Sequence, residues 1–250
     1  MSLRHRYTWI PVGLLAAGLL SVPTTSLAQD QPDGTAAQTE IARRISEDVT
    51  DIEIDVVIEG HTAMLTGTAP TLWAKRRAVA IALETEGIEE VQTEITVPGG
   101  DRSAEDVAQD VAREVRQYVF FTMFDDVSVG VDNGVVQLTG AVTDPYKKGD
   151  IEERASRVVG VQDIVNDIRE LPASSQDDRL RVTLARRIYN DPRFLGLANQ
   201  VTPPIHIIVA NARVTLTGVV NSEIDKRLID SIVRSTFGVL SVDNQLRIGS

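Results

Sequence analysis

Histidines, cysteines and paired carboxylates supply most active sites, and this 250-residue chain offers few of them in a useful order. It has three histidines, His5, His61 and His206, and no cysteine. None of the histidines stands in a motif such as H-E-x-x-H, where two imidazoles one helical turn apart would hold a metal. His61 falls in an expected turn and His206 on the outer face of an expected strand, so both read as solvated or packing residues. There is no G-x-S-x-G elbow to activate a serine, and no G-x-x-x-x-G-K-[ST] loop to cradle a nucleotide. Asp125-Asp126 and Asp177-Asp178 lack the spacing of a calcium loop and read as helix caps or solvated faces. Without thiols there is neither a disulfide framework nor a thiolate metal site. The residues therefore point away from an enzyme and away from any cofactor.

What remains is surface chemistry. Lys75-Arg76-Arg77 and Lys147-Lys148 are short basic clusters. Near an anionic bilayer each charge is worth about 1 kcal/mol against lipid phosphate, and the plainer alternative is a solvated helix face. Tyr118, Phe120, Phe121 and Phe124 place four aromatics within seven residues. They suit either a cap over a core or repeat interface, or a surface that dips into a membrane or holds a client, because aromatic bodies favour an apolar–polar boundary. Phe194, Leu195 and Leu197, in the long segment from Asn190 to Pro204, are open to the same two uses.

The first 28 residues resemble a secretory signal: a basic start at Arg4 and Arg6, an apolar run from Ile10 to Leu20, and small residues ahead of an expected cut after Ala28. The run is too short for a membrane span of roughly 20 residues. The leader takes two of the 25 basic residues and none of the 36 acidic ones, leaving 23 against 36, a net −13. Such a charge disfavours nucleic acid as a partner. The absence of cysteine rules out a lipid-modified one at the cleavage site.

The elements that must position these residues are repeated. Leu-Thr-Gly occurs at 65–67, 138–140 and 216–218, and a second glycine follows each signature glycine (Gly67, Gly140, Gly218) by 20 residues, at Gly87, Gly160 and Gly238. Equal spacing aligns three copies without gaps. Before each signature glycine, Ile54/Val56/Ile58, Val127/Val129/Val131 and Ile205/Ile207/Val209 alternate as a strand with one buried face. Turns such as Asp132-Asn133-Gly134 lead to a return strand. Thr71, Asp144 and Ser222 are expected N-caps of a helix whose buried stripe is Ala78/Ala82, Ile151/Ala155 and Ile229/Val233. That helix ends at the second glycine and a further strand follows. Ile41/Ile45/Val49, Val107/Val111/Val115 and Leu180/Leu184/Ile188 mark an opening helix in each copy, with capping boxes expected at Thr35 and Ser103. Lys75, Lys148 and Lys226 share one offset on the second helix.

The fold class expected is α/β (α+β): three tandem α-β-β-α-β units at 36–97, 104–171 and 177–248, each a three-stranded mixed sheet with two helices on one face. The signature glycines read as structural, because they turn a strand toward a helix.

The pattern V-x-V-x-x-G-x-V-x-L-T-G-x-V, a helix, and then G-V-x-x-V-x-N-x-I resembles the BON domain. The second copy carries it most fully, at 127–142 and 160–168, and the first departs from it with Thr93 where the others have Asn166 and Asn244. The resemblance implies a non-catalytic periplasmic protein that binds phospholipid at the envelope under osmotic stress. The alternative it implies is a chaperone or scaffold for envelope proteins. Neither it nor the residues indicate an oligomeric state.

Overall fold

The structure, a computed structural model, describes residues 34–198 and 203–249. The secretory leader expected at 1–28 lies outside the described residues. In the first repeat, α1 (Gly34–Asp48), β1 (Glu53–Glu59), β2 (Thr62–Thr68), α2 (Leu72–Leu83) and β3 (Glu90–Thr96) follow in order. The second repeats this with α3 (Ala104–Gln117), β4 (Asp126–Asp132), β5 (Val135–Val142), α4 (Pro145–Ser156) and β6 (Asp163–Glu170). The third has α5 (Ser175–Tyr189), α6 (Leu195–Ala198), β7 (Ile205–Ala210), β8 (Arg213–Val220), α7 (Glu223–Arg234), β9 (Ser241–Asn244) and β10 (Arg247–Ile248). In every repeat the return strand is central. It pairs antiparallel with the strand before it and parallel with the strand after the crossover helix. The third repeat's last strand is broken at Gln245-Leu246, so β9 and β10 lie in turn along β8.

Alternating strand residues and the i, i+4 helix stripes meet in three separate cores. Leu65, Ala78 and Ile41 are fully buried in the first, Leu138, Ile151 and Val111 in the second, and Leu216, Ile229 and Leu184 in the third. Thr71, Ser103, Ser174 and Ser222 each accept a backbone N–H in the first turn of their helix. Two expected caps differ. Asp144 makes no such bond, because its carboxylate is taken by the Thr143 hydroxyl at 2.8 Å and faces Lys147 at 3.2 Å. Thr35 lies inside α1, where its carbonyl accepts from the Thr39 hydroxyl, so no capping box forms there. The segment expected as a longer loop at 190–204 contains a 3-10 turn at Pro192–Phe194 and the short α6, and of its two expected uses Phe194 and Leu197 take the first, buried in the third core.

The asparagine of the repeat ties strand to helix. Asn166 and Asn244 each donate to a helix carbonyl, that of Lys148 at 3.1 Å and of Lys226 at 3.2 Å, and each accepts the N–H two residues on. Thr93 keeps only the second bond, to Ile95, because its hydroxyl is too short for the first.

The repeats dock on one another. Leu72, at the start of α2, inserts into the core of the second repeat. The Arg157 guanidinium lies 4.0 Å above the Trp73 ring, and Arg76 bridges to Glu152 at 2.9 Å. The linker that follows β3 lies on the turn between α4 and β6, where Gln162 donates to Val97 O and Arg102 to Val159 O. The second and third repeats share a backbone bond from Ile207 N to Met123 O and a small apolar cluster of Ala141, Leu171 and Ile208.

Tyr189 anchors the start of the third sheet by donating its hydroxyl to Ile205 O at 2.9 Å. Burial pushes its phenol up to about 12. The folded state therefore holds this proton more tightly than the unfolded chain, whose tyrosines titrate near 10, so stability falls as pH rises from about 10 to about 12. Urea melts across that window are expected to decline less steeply for Tyr189→Phe than for the wild type.

Candidate functional site

Docking distributes the aromatic segment 118–124 among three environments. Tyr118 is buried in the second core, and its hydroxyl donates to Asp150 while Arg154 lies over its ring at 4.7 Å. Burial, and then the neighbouring Asp150 carboxylate, push this phenol well above its ordinary range. Phe121 packs against the second core and lies 5.6 Å from the ring of His206 in the third repeat. Phe124 packs on the third core. Phe120 alone of the four stays outside, 54% exposed. Its ring stands edge-on to Tyr118 and, at 6.1 Å, perpendicular to Tyr146, while Val119 beside it is 79% exposed. Val119, Phe120 and Tyr146 thus form an apolar tip held from beneath by the anchored Tyr118.

Tyr146 was not singled out among the aromatics of the sequence. A signal existed: Trp73, Tyr146 and Ile224 share the sixth position after the signature glycine, each on the first turn of its helix. Trp73 is covered by the second repeat, whereas Tyr146 and Ile224 are exposed.

The basic clusters are largely occupied. Arg76 is bound to Glu152, and Arg77 reaches Asp48 at 2.6 Å and Glu84 at 3.4 Å. Lys147, expected on a solvated face, is buried, because its helix turns it toward the fully buried Asp125 at 2.9 Å. Asp125, expected as a cap or solvated acid, also accepts from the N–H and hydroxyl of both Thr122 and Thr143, so all its hydrogen bonds are internal. The Thr143 hydroxyl, and then Lys147, hold the Asp144 carboxyl below its ordinary range. Lys75 and Lys148 are half-buried and form no salt bridge among the described residues. Asp177 is likewise buried and accepts Asn211 N and Ala212 N, which holds the left-handed turn between β7 and β8.

The second-glycine turns differ between repeats. In the second, the linker occupies this turn through Val159 O and Gln162. In the third, Phe237 and Leu240 occupy the equivalent positions, and they are 101% and 69% exposed. His61 is tied to the corresponding turn of the first repeat, donating from Nδ1 to Gly87 O at 2.9 Å. Among the described residues no group of three or more histidines or carboxylates converges as a metal site would require.

The BON-domain family model matches residues 33–99, 103–172 and 176–250, one match per repeat. The chain belongs to the BON-domain family. No curated protein matches it. Among solved structures, it is similar to the C-terminal domain of CdsD, a structural protein of the type III secretion system of Chlamydia trachomatis, at 13% identity over 89% of this chain and 100% of that one, with a TM-score of 0.24. It is also similar to the periplasmic domain of PrgH, a type III secretion inner-membrane protein of S. typhimurium, at 13% identity over 79% of this chain and 99% of that one, with a TM-score of 0.20. Within the BON unit, the motif's asparagine ties strand to helix as described above, a Cβ on Gly67, Gly140 or Gly218 would fall within 2.1 Å of a backbone carbonyl oxygen, and the three copies differ in what they leave exposed. No helix among the described residues is long and apolar enough to cross a membrane.

Proposed function

We propose that this BON-domain protein is a non-catalytic periplasmic binding module that rests on the phospholipid surface of the envelope through the tip of its second repeat. The observation that carries this reading is the exposed Phe120–Tyr146 ring pair with Val119 beside it. Aromatic side chains at a polar boundary favour the bilayer interface. A net charge of −13 beyond the leader, with Arg76 and Arg77 in ion pairs and Lys147 buried, argues for contact through apolar side chains more than through cations. Support for osmotic or envelope stress as the setting comes from family resemblance, which is an associational ground.

Flotation with phospholipid vesicles tests the reading. The purified protein is expected to rise with the vesicles, with little dependence on salt. Phe120→Ser combined with Tyr146→Ser is expected to weaken partitioning by about tenfold or more, at roughly 25 cal/mol per Å² of apolar surface no longer buried. Equal flotation of this variant and the wild type would sink the proposal.

A second reading, a scaffold or chaperone for envelope proteins, is favoured by the uncovered Phe237 and Leu240, because the equivalent turn of the second repeat already receives a chain segment. On that reading Phe237→Ser with Leu240→Ser reduces suppression of client aggregation and leaves flotation unchanged.

A further inference from the structure

We propose that the cleft between the second and third repeats binds a phosphate group carried by a small molecule or a lipid headgroup. Its floor is the outer face of the third sheet, where His206 and Thr217 are cross-strand partners. In the other repeats the same positions are Asp55 with Thr66 and Ser128 with Thr139, so a histidine occurs there only in the third. The second repeat closes over this floor with the end of α3 and the start of β4, leaving a cavity of about 620 Å³. That volume suits a small organic ligand.

Two observations indicate what fills it. His206 Nδ1 and Thr217 Oγ1 are shielded from solvent and have no hydrogen-bond partner among the described residues. Buried polar atoms are normally paired, and leaving two unpaired on one floor costs free energy that a bound polar group recovers. Second, Arg116 and Arg247 stand on the cleft walls, and neither forms a salt bridge among the described residues, although most arginines of this acidic chain do. In the opening-helix register Arg116 follows Val115 as Thr50 follows Val49 and Tyr189 follows Ile188, so only the second repeat places a guanidinium there. Asp126 is the one carboxylate on the walls, and Ser128 adds a hydroxyl. Two guanidiniums, two hydroxyls and an imidazole around one cavity match the oxygens of a phosphate, which guanidinium binds through paired N–H groups.

Isothermal titration of the purified protein with inorganic phosphate and with glycerol phosphate, in low-salt buffer free of other oxyanions, tests the site. Saturable binding is expected. Arg116→Gln and Arg247→Gln are each expected to weaken it by about tenfold. Both side chains are exposed, so an unchanged thermal melt shows that the fold is kept. His206→Phe, which removes the unpartnered nitrogen, is expected to weaken binding as well. Vesicles containing phosphatidylglycerol compete with glycerol phosphate if the phosphate comes from a lipid headgroup, and do not compete if it comes from a free ester. Absence of saturable binding by either probe, or equal affinity in the Arg116→Gln/Arg247→Gln variant, overturns the proposal. Phe120→Ser with Tyr146→Ser is expected to leave phosphate binding unchanged, so failure of this site and failure of the membrane tip are distinguishable.

Discussion

Gly140→Ala is expected to unfold the second repeat. Gly140 sits at φ +121, and a Cβ placed there would lie 2.1 Å from the carbonyl oxygen of Asp126 on the paired strand. The left-handed backbone alone costs of order 1–3 kcal/mol for a residue with a side chain. The clash adds to this, because the contact is with backbone and relief requires opening the β4–β5 ladder. A total of about 4 kcal/mol is comparable with the whole stability of a domain this small. Urea denaturation followed by far-ultraviolet circular dichroism is expected to show an early transition absent from the wild type. Trp73, the only tryptophan among the described residues, lies against the second repeat and is expected to report the undocking of the first. Gly130→Ala is the control: it lies in the same hairpin with open space around it and is expected to change stability little. A Gly140→Ala protein that melts with the wild type would contradict the structural reading of the signature glycine.

Lys147→Ala is expected to cost about 3–5 kcal/mol, the loss typical of stranding one charge of a buried pair. Asp125 is fully buried, and Lys147 is the one cation bonded to it. Lys148→Ala, one position along and half-buried, is expected to stay within about 0.5 kcal/mol of the wild type. Lys147→Met with Asp125→Leu is expected to recover only part of the loss. The double change removes the charge mismatch, yet it leaves the N–H groups of Thr122 and Thr143 without the carboxylate they donate to. Parallel chemical denaturation of the three variants measures the difference. A Lys147→Ala protein as stable as Lys148→Ala would show that the pair is solvated.

The contrast between these two lysines marks how far the residues alone could be read. Both lie on the same helix in one basic dipeptide, and nothing local separates them. Lys147 is buried because Asp125, 22 residues earlier in the chain, arrives beneath it on the segment that leads into β4. The aromatic segment behaves likewise. Its composition called for burial or contact, but the division between Tyr118, Phe120, Phe121 and Phe124 depends on two cores and a docking surface. Phe194 belongs to the third core through the 3-10 turn that leads into α6, a local conformation that the mixed polar and apolar residues of 190–204 did not signal.

The repeat unit, its order of elements, its strand faces and its helix stripes were determined by the sequence by itself. Alternation, i, i+4 spacing, N-caps and glycines in left-handed turns act over a few residues, and three aligned copies make each such signal visible three times. Tertiary structure alone decided which charges are paired, which aromatics remain outside, and that His206, Thr217, Arg116 and Arg247 share one cleft. Those outcomes depend on surfaces that meet across repeats, between residues as distant as Arg76 and Glu152, and local spacing carries no information about which faces will meet.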